Sequence, residues 1–229
     1  MDTPTIRSAA RAPLLAAAAL TLLAGCAPAT ARPVAGQAEC SAAVRGALVD
    51  VRELDPSIRT EIRYATPNNF TAAPLPGYES PRALLRPEAA RALARVQERL
   101  REEGFGLKVF DAYRPVRATQ AMVAWARRTG NLWVIRQGYV AERSGHNRGG
   151  TVDLTLVRLD SGRELEMGTP YDHFSPAAHT ANAEGEVRAN RMRLVRAMEA
   201  EGFANYDKEW WHFGLAGHWE ALDVPIRCF

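Results

Sequence analysis

Two of the five histidines sit in settings that suit chemistry. His146 lies in Ser144-Gly145-His146-Asn147-Arg148-Gly149-Gly150-Thr151-Val152-Asp153, and His212 lies in Glu209-Trp210-Trp211-His212-Phe213. The Gly149-Gly150 pair lets the backbone turn sharply. The alternation that follows puts Thr151, Asp153 and Thr155 on one strand face and Val152, Leu154 and Leu156 on the other. An aspartate on such a strand needs a partner, because burying it uncompensated is costly. Two imidazoles and one carboxylate suit Zn²⁺ with a fourth position left for water, the pattern of catalytic zinc sites. Trp210 and Trp211 form a dry, rigid wall beside His212. Glu209 is then placed to take a proton from a zinc-activated water. There is no HExxH, so this is not a helical zinc site of that type. Residues three apart on an ideal strand face opposite ways. Glu209 and His212 can therefore meet only if Glu209 lies in the turn before the strand or the segment is bulged. His173, His179 and His218 lack this setting and read as surface or supporting residues.

Short strands and a few helices must hold these groups. Leu48 to Val51, Ile62 to Tyr64, Leu107 to Phe110, Val152 to Val157 and Trp210 to Leu215 have strand character. Pro87 opens a helix that runs through Leu93, Val96 and Leu100 to Gly104. A second helix spans 117–129, with Ala118, Ala121, Met122 and Trp125 on one face; a third spans 190–201 and stops at Gly202. Residues 65–82, rich in Pro, Asn and Gly, read as a long loop of the kind that is usually functional. The expected fold is a single α+β domain: a small antiparallel sheet, helices packed against it, and zinc in a central cleft.

Length and composition agree with one domain plus an address. The chain has 229 residues, 47% apolar and 24% charged, which excludes a disordered or collagen-like chain and a polytopic membrane protein. The net charge of +3 gives no reason to propose nucleic acid as a partner. Residues 1–25 read as a signal peptide: Arg7 and Arg11 precede an apolar run from Leu14 to Leu23, too short to span a bilayer. Leu23-Ala24-Gly25-Cys26 resembles a bacterial lipobox, which implies lipidation of Cys26 and a membrane-anchored, exported protein. The alternative is an ordinary signal peptide cut near Ala29 or Ala31. Residues 26–39 read as a tether and 40–229 as the domain. Cys40 and Cys228 flank that domain. They are either a disulfide of the kind that persists outside the cytoplasm or two unrelated thiols.

Taken together, these segments resemble the D-alanyl-D-alanine dipeptidases of the vancomycin-resistance type, within a larger group of zinc D,D-peptidases. The resemblance runs from Tyr64 to His212. It includes Tyr64-Ala65-Thr66, Asn69-Phe70, Gly77-Tyr78-Glu79, Asp111-Ala112-Tyr113-Arg114-Pro115, Gly138 to Glu142, Ser144 to Leu156, Met167-Gly168 and Glu209 to His212. It implies that His146, Asp153 and His212 hold one Zn²⁺ and that Glu209 is the catalytic carboxylate. It further implies that Arg114 stabilises the oxyanion and that Tyr78, Asp111, Ser144 and Asp172 shape the substrate pocket. Asp111 and Asp172 suit the ammonium of a free dipeptide, and Ser144 its carboxylate. The chain departs from the family at Gly145, Gly150 and Thr151, where relatives carry Ser, Ser and Ala. The implied activity is hydrolysis of D-Ala-D-Ala to two D-Ala. The alternatives are a D,D-carboxypeptidase or endopeptidase that trims peptidoglycan, and a non-catalytic binder of wall peptides with structural zinc. An exported enzyme of this kind would meet dipeptide released from the cell wall, which favours wall turnover or scavenging over resistance.

Overall fold

A computed structural model describes Cys40, Val44 and residues 46–229; the signal peptide, Cys26 and the tether lie outside the described residues. Among the described residues, seven strands and five α-helices follow in chain order: β1 (Val49–Asp50), α1 (Val51–Leu54), β2 (Arg59–Thr60), β3 (Leu84–Leu85), α2 (Pro87–Glu102), β4 (Phe105–Asp111), α3 (Val116–Arg128), α4 (Trp133–Arg136), β5 (Thr151–Arg158), α5 (Gly185–Glu199), β6 (Phe203–Asn205) and β7 (His212–Leu215). Five strands form one sheet in the order β2-β4-β5-β7-β6, and β1 pairs with β3 separately. The sheet is antiparallel except at its edge, where β2 runs parallel to β4. The chain reaches that parallel position by crossing back through α2, as a parallel pair requires.

The long helices form where apolar spacing and punctuation agree. In α2, Pro87 occupies the first turn, Ala89, Ala90, Leu93, Val96 and Leu100 are buried, and Gly104 beyond the end adopts φ +83°. Its buried Gln97 accepts from Leu107 N at 2.8 Å and donates to Ser57 Oγ at 3.0 Å, so the polar group inside is satisfied. α2 and α5 pack on the sheet, burying Leu107 and Val109 of β4, Leu154 and Leu156 of β5, and Leu194 and Met198 of α5.

Several expected boundaries move. Ile62 to Tyr64 is not a strand: Arg63–Ala65 is a 3-10 turn, and only Arg59 and Thr60 pair with β4. The strand from Leu48 shortens to Val49–Asp50, because the Asp50 carboxylate accepts from Arg52 N at 3.1 Å and starts α1. The third helix begins at Gly185, five residues before the apolar pattern shows it. β5 is buried on both faces from Thr151 to Val157, so its polar face looks into the protein rather than into water.

Candidate active site and metal centre

Sheet register assembles the centre. β5 lies between β4 and β7, and Asp153 pairs with Asp111 on one side and His212 on the other. β7 starts at His212. Its amide donates to the Glu209 carbonyl at 3.2 Å, closing a tight turn that resolves the strand-parity problem: Glu209 precedes the strand. His146 comes from the 3-10 turn Gly145–Arg148 just before β5. The turn is closed by a capping box between Ser144 and Asn147 and ended by Gly149 at φ +75°. One backbone bond and one side-chain bond then knit this turn to the Asp111–Pro115 segment. Arg114 N donates to His146 O at 3.2 Å, and Asn147 Nδ2 donates to Arg114 O at 2.8 Å.

Among the described residues, His146, Asp153 and His212 are the one group whose donor atoms converge as a metal site requires. His146 Nε2 lies 3.3 Å from Asp153 Oδ1, His212 Nδ1 lies 3.0 Å from the same oxygen, and the two nitrogens are 3.4 Å apart. A tetrahedral Zn²⁺ with ligand bonds of about 2.0–2.1 Å has ligand–ligand edges of roughly 3.3 Å, so the triangle fits the ion. Two further observations support the fit. Asp153 Oδ1 is buried and accepts no hydrogen bond, an orphan that a cation would satisfy. His146 Nδ1 lies 2.6 Å from the Ala112 carbonyl, which fixes that nitrogen as the donor and leaves the Nε2 lone pair facing the centre. Burial works against the Asp153 charge, but the two adjacent imidazoles outweigh it and hold the carboxyl well below the usual range. Burial outweighs the adjacent Asp153 carboxylate and lowers the His212 pKa from its ordinary value, which favours the neutral ring that a metal ligand needs.

The centre opens on a cavity of about 380 Å³, near the lower end of the roughly 300–1,000 Å³ typical of ligand sites. Arg114, Ser144, Asp172 and Glu209 line it together with the three metal-ligand candidates. Phe70, Tyr139 and Phe174 make its apolar side, with Phe174 packed on both other rings. Glu209 Oε2 is 3.6 Å from His212 Nδ1. Its pKa is pushed well above the ordinary carboxylate range, first by burial and then by Asp153 and Asp172. Asp172 is pushed up to about 8, again first by burial and then by Asp153. It is held at φ +62°, an uncommon conformation for a residue other than glycine. Ser144 keeps its hydroxyl at the cavity while its oxygen accepts from His146 N at 3.3 Å.

Two expected pocket residues stand elsewhere. Asp111 is fully buried and Tyr78 nearly so, and neither lines the cavity. Arg114 Nε and Nη2 both donate to Asp111 Oδ2, at 3.0 and 2.8 Å, and Tyr78 donates to Oδ1 at 2.5 Å. Asp111 is therefore the counter-ion that aims Arg114, not a partner for substrate. The reason is the register: a residue opposite Asp153, next to a buried guanidinium, has its charge taken already. Of the two aspartates expected to meet a cationic group, Asp172 lines the cavity and Asp111 does not.

Three further residues were given no role by the sequence. Tyr171 donates to Asp153 Oδ2 at 3.0 Å, and Tyr64 donates to Asp172 at 3.0 Å. Arg191, fully buried on α5, donates to the carbonyls of Met167, Ala177 and His179 and so clamps the loop that carries Tyr171 and Asp172. His179 meets Tyr139 at 3.0 Å, and His173 and His218 are exposed. Cys40 and Cys228 are joined as a disulfide.

The glycines at 145 and 150 have a packing account. A Cβ at position 145 would lie 2.5 Å from Thr151 Oγ1, and one at position 150 would lie 2.3 Å from the Trp219 ring. Thr151 and Trp219 occupy the space that larger residues would take.

The chain is similar to known proteins over most of its length. The chain is 39% identical over 180 residues to a D-alanyl-D-alanine dipeptidase of Streptomyces coelicolor, covering 72% of this chain and 89% of that one. It is 37% identical to the enzyme of that name from Enterococcus faecium, covering 71% and 88%. It is 34% identical to the one from Escherichia coli, covering 80% and 92%. Among solved structures, a vancomycin-resistance D,D-pentapeptidase mutant in complex with Zn(II) aligns at TM-score 0.36 and 15% identity, over 59% of this chain and 74% of that one. Residues 45–229 match the M15 peptidase family model described as D-ala-D-ala dipeptidase, and the chain belongs to that family.

Proposed function

We propose that this protein is a zinc-dependent dipeptidase that hydrolyses free D-Ala-D-Ala to two D-Ala. The observation that carries the reading is the orphaned Asp153 Oδ1 between two imidazole nitrogens, in a small cavity shared with Glu209 and Asp172. Zinc held by His146, Asp153 and His212 would supply Lewis acidity and bring the pKa of a water to about 7. Glu209 takes one proton of the attacking water as the C–O bond forms, then returns it to the amide nitrogen as the C–N bond breaks. Its raised proton affinity suits both halves of that task. Arg114 is charged throughout, because Asp111 outweighs the effect of burial, and it stabilises the developing oxyanion. Asp172 pairs with the substrate ammonium, and Ser144 donates to its carboxylate. The test is release of D-Ala from D-Ala-D-Ala before and after chelation. Activity should vanish with the metal and return with Zn²⁺; turnover by metal-free protein would overturn the assignment.

We further propose export as a lipoprotein anchored through Cys26, acting on dipeptide released from the wall. The Leu14 to Cys26 pattern supports this, as does the Cys40–Cys228 disulfide, since such bonds persist outside the reducing cytoplasm. Labelled fatty acid should enter the wild type and not Cys26→Ser. Equal labelling of both would overturn the anchor.

A further inference from the structure

Tyr171 does not itself line the cavity, yet its hydroxyl is buried at the centre of the acidic cluster. It lies 3.0 Å from Asp153 Oδ2 and 3.1 Å from the Tyr64 hydroxyl, which in turn lies 3.0 and 3.1 Å from the two oxygens of Asp172. Three contacts thus join two carboxylates through two phenols that own one proton each. Whichever way the Tyr64–Asp172 bond runs, the Tyr171 proton goes to the Asp153 carboxylate rather than to the Tyr64 hydroxyl, since a charged acceptor outcompetes a neutral one. Asp153 then has unlike oxygens. Oδ2 is held by a phenol, with Arg114 Nη2 3.8 Å away, and Oδ1 is left bare toward His146 and His212.

We propose that Tyr171 is the positioning residue of the metal centre: its hydroxyl locks the Asp153 carboxylate so that one chosen oxygen faces the ion. The aromatic ring has a separate task. It stacks on Phe110 at 4.8 Å and meets Trp211 edge-on at 5.4 Å, so packing is secured without the hydroxyl. Through Tyr64 the same lock reaches Asp172, which joins the metal ligand to the group proposed to hold the substrate ammonium. The inference rests on Asp153 being a zinc ligand and adds the group that orients it.

Tyr171→Phe keeps the ring and removes only the donor. Zinc affinity, read by competition with a chromophoric chelator, should fall about 10–100-fold, the usual cost of losing a group that orients a ligand. Tyr64→Phe removes a hydroxyl from the same cluster without touching Asp153 and should bind zinc within about threefold of wild type. Wild-type affinity in Tyr171→Phe, or an equal loss in Tyr64→Phe, overturns the proposal. If Asp153→Ala binds zinc as wild type does, the ligand reading beneath it is what fails. Should the phenylalanine form not fold, ring-labelled tyrosine in the wild type decides. The Tyr171 Cζ resonance should move when zinc is added, and an unmoved signal overturns the proposal.

Discussion

At the scale of single residues, four carboxylates crowd one guanidinium, and their roles divide by what each already touches. Asp111 is consumed by Arg114 and Tyr78, Asp153 stands between two imidazoles with one oxygen unsatisfied, and Glu209 and Asp172 line the cavity with their roles still open. Glu209→Gln should therefore keep zinc and fold while turnover drops about 10²–10⁴-fold, the usual share of proton transfer. Metal analysis beside kcat checks it, and near-native turnover would remove Glu209 from the reaction. Asp111 and Asp172 should separate in the same way. Asp111→Asn strands a buried guanidinium and should lower unfolding stability by roughly 3–5 kcal/mol, read from denaturant midpoints. Asp172→Asn should leave stability nearly intact and raise KM for the free dipeptide. Acetylating the substrate amine removes the cation Asp172 is proposed to bind, so kcat/KM should fall by roughly two decades or more in wild type and by much less in Asp172→Asn. Equal rates on the free and acetylated dipeptides would favour a carboxypeptidase.

At the scale of elements, the Gly145–Arg148 turn and β5 must fit each other, and their side chains show it. Gly145→Ser would push a Cβ to 2.5 Å from Thr151 Oγ1, on a β-branched residue that cannot swing away freely. That overpacking should cost about 1–3 kcal/mol, and Thr151→Ala in the same chain should recover most of it. A double-mutant cycle with a coupling near zero would show that the two positions are independent. This fit was half legible in the sequence: the Gly-rich turn and the alternation after it announce the element, but not that Thr151 fills the space over Gly145. The same division holds elsewhere. α2, α3, β4 and β5 were readable because periodicity and Pro or Gly punctuation coincide there. The Arg63–Ala65 turn was not, because Ile-Arg-Tyr has strand composition while only Arg59 and Thr60 find a partner strand. The start of α5 was hidden because its first turn is exposed and polar. The converging group of His146, Asp153 and His212, with Glu209 beside it, was legible from residue types and neighbours, whereas the contacts of Asp111, Tyr171 and Arg191 depend on cross-strand register and burial. An arginine that clamps three carbonyls looks, in sequence, like any surface arginine on a helix.

At the scale of the molecule, residues 222–228 brace the segments that carry Arg114 and His146 from behind, and the Cys40–Cys228 bond fastens them. Leu222 bridges two of those segments: its amide donates to Asn147 O at 2.8 Å, and its carbonyl accepts from Val116 N at 3.1 Å. Tyr113 Oη both donates to Val224 O and accepts from Val224 N, and Arg117 N donates to the Asp223 carboxylate at 2.8 Å. Val116 and Asn147 lie next to the residues that carry Arg114 and His146, so this strap supports the backbone of both. The disulfide joins it to a residue 188 positions earlier, a very long loop whose closure restricts the unfolded chain strongly. Cys228→Ser should therefore lower unfolding stability by about 2–5 kcal/mol. A reductant should do the same to wild type and add nothing to the variant. Loosening should start at the strap: in hydrogen exchange, the amides of Leu222 and Val116 should lose protection in the variant, while Leu154 in the central strand keeps its own. Unchanged stability under oxidising conditions would show that the strap holds by its hydrogen bonds alone. Protection lost equally at Leu154 would show that the bond fastens the whole domain rather than the wall behind the metal centre.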